Sequence, residues 1–190
     1  MLSQQARLRL SFPAVMGPDV DAAFLCLRPI YEDLPLSVST DTVGPIRLNG
    51  EELSIPFRVY LQAQGSECIS ALTGRQQLIL SAILSRSSDG YVREKCVREL
   101  LQSDEPWIPP FVLQLLGEYV LPIIRVVKAH SAVLKRSEYR HFIIENPAFF
   151  QLLKQRIISY WNCYYRGLFP RLTDYPAFQL AAIFEQETRR

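Results

Sequence analysis

At 190 residues, with 48% hydrophobic and 21% charged side chains, the chain has enough apolar matter for a buried core, which excludes wholesale disorder. A net charge of +2 does not by itself point to a nucleic-acid partner. The distribution is more informative: residues 1–119 carry 10 Lys and Arg against 14 Asp and Glu, and residues 120–190 carry 11 against 5. A basic C-terminal part attracts an acidic protein, a nucleic acid, or the acidic remainder of the same chain.

In chain order, RLRLSF (7–12) alternates strictly and predicts a half-buried strand. Val20, Ala23, Phe24 and Leu27 then fall at helical spacing, predicting a helix near 19–28 that Pro29 stops. Further strands are expected near 36–43, 46–48 and 53–61. Asn49-Gly50 is a type I′ turn signal, and a two-residue loop there pairs Ile46 with Leu53, Arg47 with Glu52 and Leu48 with Glu51. Pro56 marks a free edge or a bulge nearby. Residues 1–66 thus read as a small β-rich α+β unit.

After a junction over 62–71 the pattern is helical, so residues 70–190 are expected to form a second, all-α unit. Thr73 and Gln76 form a capping box for a helix reaching Arg86. Asp89 caps the next, whose Val92, Cys96, Val97, Leu100 and Leu101 face inward; Glu94–Arg98 and Lys95–Glu99 are outer i,i+4 pairs. Pro110 opens a helix expected to run to about Lys128, kinked at Pro122, with Gly117 allowing a close helix approach. Asn146-Pro147 starts a helix whose Phe149, Phe150, Leu153, Ile157, Tyr160, Trp161, Tyr164 and Leu168 recur at helical spacing. A last helix begins at Pro176. The starts PFVLQLL, PAFFQLL and PAFQLAA look alike, but their spacing is too uneven for a solenoid.

Four cysteines, at 26, 68, 96 and 163, form no CxxC pair. A chain of this size with an adequate core does not need a disulfide framework, so buried reduced thiols are expected, and with them a cytoplasmic location. MLSQQARLRLSFP lacks the apolar run of a secretory signal, so none is expected. Glu118, Pro122 and Arg125 interrupt the apolar stretch 111–127, so no membrane span is expected either.

DGYVREKCVREL, with Asp89, Val92 and Arg93, resembles the second-helix pattern of HEAT repeats, with Cys96 where that family has a smaller residue. The longer string from Arg75 to Val120 is similar to uncharacterised bacterial proteins carrying RQQ…SR..DG.VRE…W..PFV.QL.GEYV. The resemblance implies a bacterial, cytoplasmic protein and no particular activity.

Catalysis finds little support. His130 and His141 stand apart from any triad spacing, and no compact metal-ligand set or GxxxxGK or GxGxxG loop occurs, so no catalytic residue, metal or cofactor is expected. Glu118 is the best lone candidate for a general acid, and an enzyme with an unrecognised site is kept as an alternative. Gln114, Glu118, Arg125 and Lys128, however, share a helical face and read as a solvated stripe. Nucleic-acid binding remains an alternative. Arg125, Lys128, Arg140 and Arg166 accompany Tyr160, Trp161, Tyr164 and Tyr165 within a basic, aromatic-rich 125–171 region, a composition that tracks phosphates and stacks bases. The expectation the residues favour is a non-enzymatic protein-interaction or adaptor module. Its partner would be a protein, with Trp107, Trp161 and Arg93 as contact candidates beside those basic residues, and a homo-oligomer contact at the proline-bearing edge is compatible with it.

Overall fold

The computed structural model describes residues 2–31 and 37–188. It is 59% helix and 9% strand, so the α+β reading holds as a mainly helical chain with a few short antiparallel strands. Two compact units form, Met1–Leu100 and Leu101–Arg190.

The first unit opens with helix α1 (Gln4–Arg9) where the alternation predicts a strand. The Ser3 hydroxyl accepts the Ala6 amide at 3.1 Å and so starts a helix. Leu8 and Phe12, four apart, are buried, whereas Leu10, which a strand would put on their face, is 47% exposed. Helix α2 (Gly17–Leu25) follows where a helix is expected. Its Asp21 accepts from Gln5 Nε2 and Arg9 Nε, each at 2.6 Å. Hydrogen bonding from Arg9 holds the Asp21 carboxyl below the usual carboxylate range.

Among the described residues, four strands of three residues each come next: β1 (Leu27–Pro29), β2 (Ile46–Leu48), β3 (Glu51–Leu53) and β4 (Leu61–Ala63). The β2–β3 hairpin has the register that Asn49-Gly50 predicts, with φ of 53° and 84° at the two turn residues. The long strands expected near 36–43 and 53–61 do not form. Residue 36 lies outside the described residues, and over 37–43 there are only the isolated bridges Val38–Val59 and Thr42–Pro56. Pro56 has no N–H with which to continue a ladder.

β4 pairs antiparallel with β1, matching Leu27 with Ala63 and Pro29 with Leu61. That pairing brings the residue before β1 close to the chain after β4. The Gln64 amide donates to the Cys26 carbonyl at 2.8 Å, and Cys68, in helix α3 (Ser66–Ser70), forms a disulfide with Cys26. The reduced-thiol expectation is corrected for this pair; Cys96 is a buried free thiol as expected, and Cys163 is a free thiol but exposed. The cytoplasmic expectation rested on reduced cysteines and loses that support.

Helices α4 (Gly74–Leu84) and α5 (Gly90–Leu100) complete the unit, and α4 packs against both α2 and α5. Both begin as the sequence predicts. Thr73 and Gln76 bond reciprocally at 3.0 and 3.3 Å, and Asp89 Oδ1 accepts the Tyr91 amide at 2.8 Å.

In the second unit every described element is helical: α6 (Pro109–Leu116), α7 (Leu121–Ala129), α8 (Ser137–Glu145), α9 (Pro147–Tyr160) and α10 (Pro176–Thr188), with short 3-10 or π turns between. The single kinked helix expected over 110–128 is two helices. Pro122 cannot donate to the Glu118 carbonyl and its ring would clash there, so a helix cannot run through; α6 ends at Leu116, and Val120 is extended (φ −89°, ψ 91°) before α7 starts. α6 packs on α7, α8 and α9, and α10 packs on the same three. Gln114 and Glu118 are buried, so the solvated stripe read through them is also corrected.

At Gly117 an added Cβ would lie 2.9 Å from Leu153 Cδ1 of α9. Gly117→Val is expected to destabilise the protein by about 1–3 kcal/mol, read as a lower urea midpoint. An unchanged midpoint would show that α9 can retreat freely.

Candidate functional site

The sequence candidates divide sharply between core and surface. Trp107 is 3% exposed; its Nε1 donates to Glu105 Oε2 at 3.0 Å and its ring meets Phe111 edge-on at 6.2 Å. It is a core residue with nothing left to offer a partner. Arg93 is also buried, and its Nη1 donates to the Ser87 and Ser88 carbonyls at 2.7 and 3.0 Å. It serves the fold. Arg125 and Arg166 are exposed, while Trp161, Lys128 and Arg140 are half-buried.

The α9 stripe explains where an exposed surface arises. Phe149, Phe150, Leu153 and Ile157 are buried, as the spacing predicts. The stripe then outruns the core. A π-helical turn over Trp161–Tyr165 widens the helix and changes its angular spacing, so Tyr164 and Leu168 emerge into solvent.

Tyr164 is 65% exposed, and Tyr119, from the break between α6 and α7, is 53% exposed. With Tyr160 they form a triangle whose ring centroids are 6.0 Å apart along each side. Tyr165 fastens the triangle from below. Its phenol donates to the Tyr119 carbonyl and its ring stacks on buried Tyr175 at 5.4 Å. Burial raises the Tyr165 phenol above its ordinary pKa, with the nearby positive charge of Arg125 acting the other way. The phenol is therefore a neutral donor near pH 7.

At the same π turn, the Arg166 guanidinium lies 5.6 Å over the Trp161 ring, and Trp161 Nε1 donates to the Phe169 carbonyl at 2.8 Å. The structure therefore places Trp161 in the same π turn as Tyr164 and Tyr165, Arg166 at the C-cap of that turn, and the charge of Arg125 near Tyr165. Among the described residues, no ring–cation contact joins Lys128 or Arg140 to these rings. Sequence reasoning missed Tyr119 as a member of the triangle. Its signal was local: a tyrosine just past the helix-ending Gly117, where a side chain is free to turn outward.

The first unit holds a cleft of about 700 Å³. Leu80 and Leu84 of α4 and Val92 and Cys96 of α5 line it on one side, and Leu61 and Ala63 of β4 on another. Burial, reinforced by the charge of Glu99, pushes the Cys96 thiol up to about 12, so it stays neutral and adds apolar lining. Three charged residues reach the cleft. Asp89 is engaged as the α5 cap, and Glu99 accepts the Ser81 hydroxyl instead of pairing with Lys95. Lys95 has no ion-pair partner among the described residues.

Among the described residues, no group of three or more His, Cys, Asp or Glu is placed to hold a metal ion, and no helix is long and apolar enough to cross a membrane. No protein-family model, curated protein or solved structure matches the chain.

Proposed function

We propose that the chain is a non-catalytic protein-interaction module that docks a partner on the tyrosine surface at the end of α9. The observation that carries this reading is the exposure of Tyr164 and Tyr119 within a triangle of mutually packed rings. Tyrosine supplies a large contact area with few torsions to freeze, and it dominates interface energetics together with Trp and Arg. Here the rings are held in place before binding, which lowers the ordering cost. Arg125 and Arg166 beside them favour a partner with acidic groups at the rim of its own surface.

The combined variant Tyr119→Ala, Tyr164→Ala is expected to lose its specific binding partner in affinity capture while keeping its circular-dichroism spectrum and urea midpoint. Recovery of the same partner in the same amount would overturn the reading. A second reading draws on the same arginines and rings: exposed aromatics beside cations also stack unpaired bases. It requires binding of single-stranded RNA or DNA that weakens steeply as salt rises, and fluorescence anisotropy with no response at low salt would remove it.

A further inference from the structure

We propose that the cleft of the first unit binds an extended peptide segment of a partner protein, with apolar side chains at alternate positions, which joins β4 as an added strand. The inference is independent of the tyrosine surface, which lies in the other unit.

The hydrogen-bond parity of β4 is the starting point. Ile30 donates to the Tyr60 carbonyl at 2.9 Å and Gln64 to the Cys26 carbonyl at 2.8 Å, so the even-numbered residues of the strand face β1. In an antiparallel ladder the alternate residues turn their N–H and C=O to the opposite side. On that side Val59 is already paired, donating to Arg86 O at 2.9 Å and accepting from Ser88 N at 3.1 Å in a parallel bridge. The 86–88 segment then leaves to begin α5. Leu61 and Ala63 come next on the same edge, and their backbone groups have no hydrogen-bond partner among the described residues.

This open edge faces the cleft, since Leu61, Ala63, Ser87 and Ser88 all line it. Leu61 is 2% exposed, so bulk water solvates its backbone poorly and an unpaired N–H and C=O there are costly. An extended backbone laid beside Leu61 and Ala63 would satisfy both and prolong the ladder that Ser87 begins. Its alternate side chains would enter the apolar space between Leu80, Leu84 and Cys96. The apolar lining of Leu80, Leu84, Val92 and Cys96 selects a segment with apolar side chains at alternate positions, whereas the two carboxylates and one ammonium of Asp89, Glu99 and Lys95 give an acidic segment no advantage.

The test uses the full chain and an acetylated, amidated heptapeptide of alternating valine and threonine. In amide NMR spectra, the peptide is expected to shift the Leu61 and Ala63 signals and slow their hydrogen exchange. N-methylating the peptide amides that would face β4 is expected to weaken binding at least about tenfold, as loss of two backbone hydrogen bonds requires. Equal binding of the N-methylated peptide would overturn the proposal. So would unmoved Leu61 and Ala63 signals at millimolar peptide, or occupation of the cleft by decanoate alone, seen as shifts of the Leu80 and Leu84 methyls without any response to peptide.

Discussion

Replacing Cys26 and Cys68 together by alanine, or reducing the pair with dithiothreitol, is expected to lower the unfolding free energy by about 4 kcal/mol. The bond closes a loop across a sequence separation of 42 residues. In the chain-entropy account, releasing a loop of that size restores about 4 kcal/mol of freedom to the unfolded chain. Total stabilities of domains are roughly 5–15 kcal/mol, so this is a large share. The bond also joins the start of β1 to α3, whose Ile69 lines the cleft next to Cys68. Urea unfolding of the oxidised and reduced protein measures the effect directly. Coincident midpoints would mean that the β1–β4 ladder alone holds these ends together.

Arg93→Ala is expected to cost about 3 kcal/mol. The Arg93 side chain is buried and gives hydrogen bonds to the carbonyls of Ser87 and Ser88, and the backbone of that same segment pairs with Val59. Removing the guanidinium leaves those carbonyls without a charged donor and opens a void around them. Arg93→Lys should restore only part of the loss, because both bonds come from Nη1 at the far end of the guanidinium, and the lysine stem places its ammonium one bond short of that position. Arg98, on the outside of the same helix, provides the comparison. It pairs with Glu94 at 2.6 Å but is largely exposed, so Arg98→Ala is expected to cost less than about 1 kcal/mol. Equal urea midpoints for Arg93→Ala and Arg98→Ala would contradict this assignment of roles.

What was legible in the sequence was local chemistry. Asn49-Gly50 states its own turn, because few residues besides these accept positive φ at both positions, and a two-residue loop fixes the β2–β3 register. Thr73 with Gln76, Asp89, and Asn146-Pro147 mark helix starts for equally short-range reasons. The strand at 7–12 failed because six alternating residues are too few to separate period two from a single amphipathic turn. The deciding contacts, Gln5 and Arg9 with Asp21, come from another helix. The disulfide was illegible because it depends on the β1–β4 register, a pairing of distant segments that no spacing encodes.

The same division governs the sites. The stripe from Phe149 to Leu168 correctly announced a helix, but the sequence carries no mark of where the core beneath it ends. That limit separates buried Ile157 from exposed Tyr164, and it decides which aromatics can meet a partner. Arg93 and Trp107 belong to types common in interfaces, yet both are buried in the fold. The open edge of β4 is a property of backbone parity and of where a neighbouring segment turns away, neither of which residue type records.

Photo-crosslinking tests the binding role of the tyrosine surface most directly. Benzoylphenylalanine placed at Tyr164 is compared with the same group at Tyr91, which is 86% exposed but belongs to the first unit. The account requires a discrete protein adduct from position 164 and none of that mass from position 91. Adducts of equal yield from both positions, or none from 164 in cells that make the protein at its natural level, would contradict it.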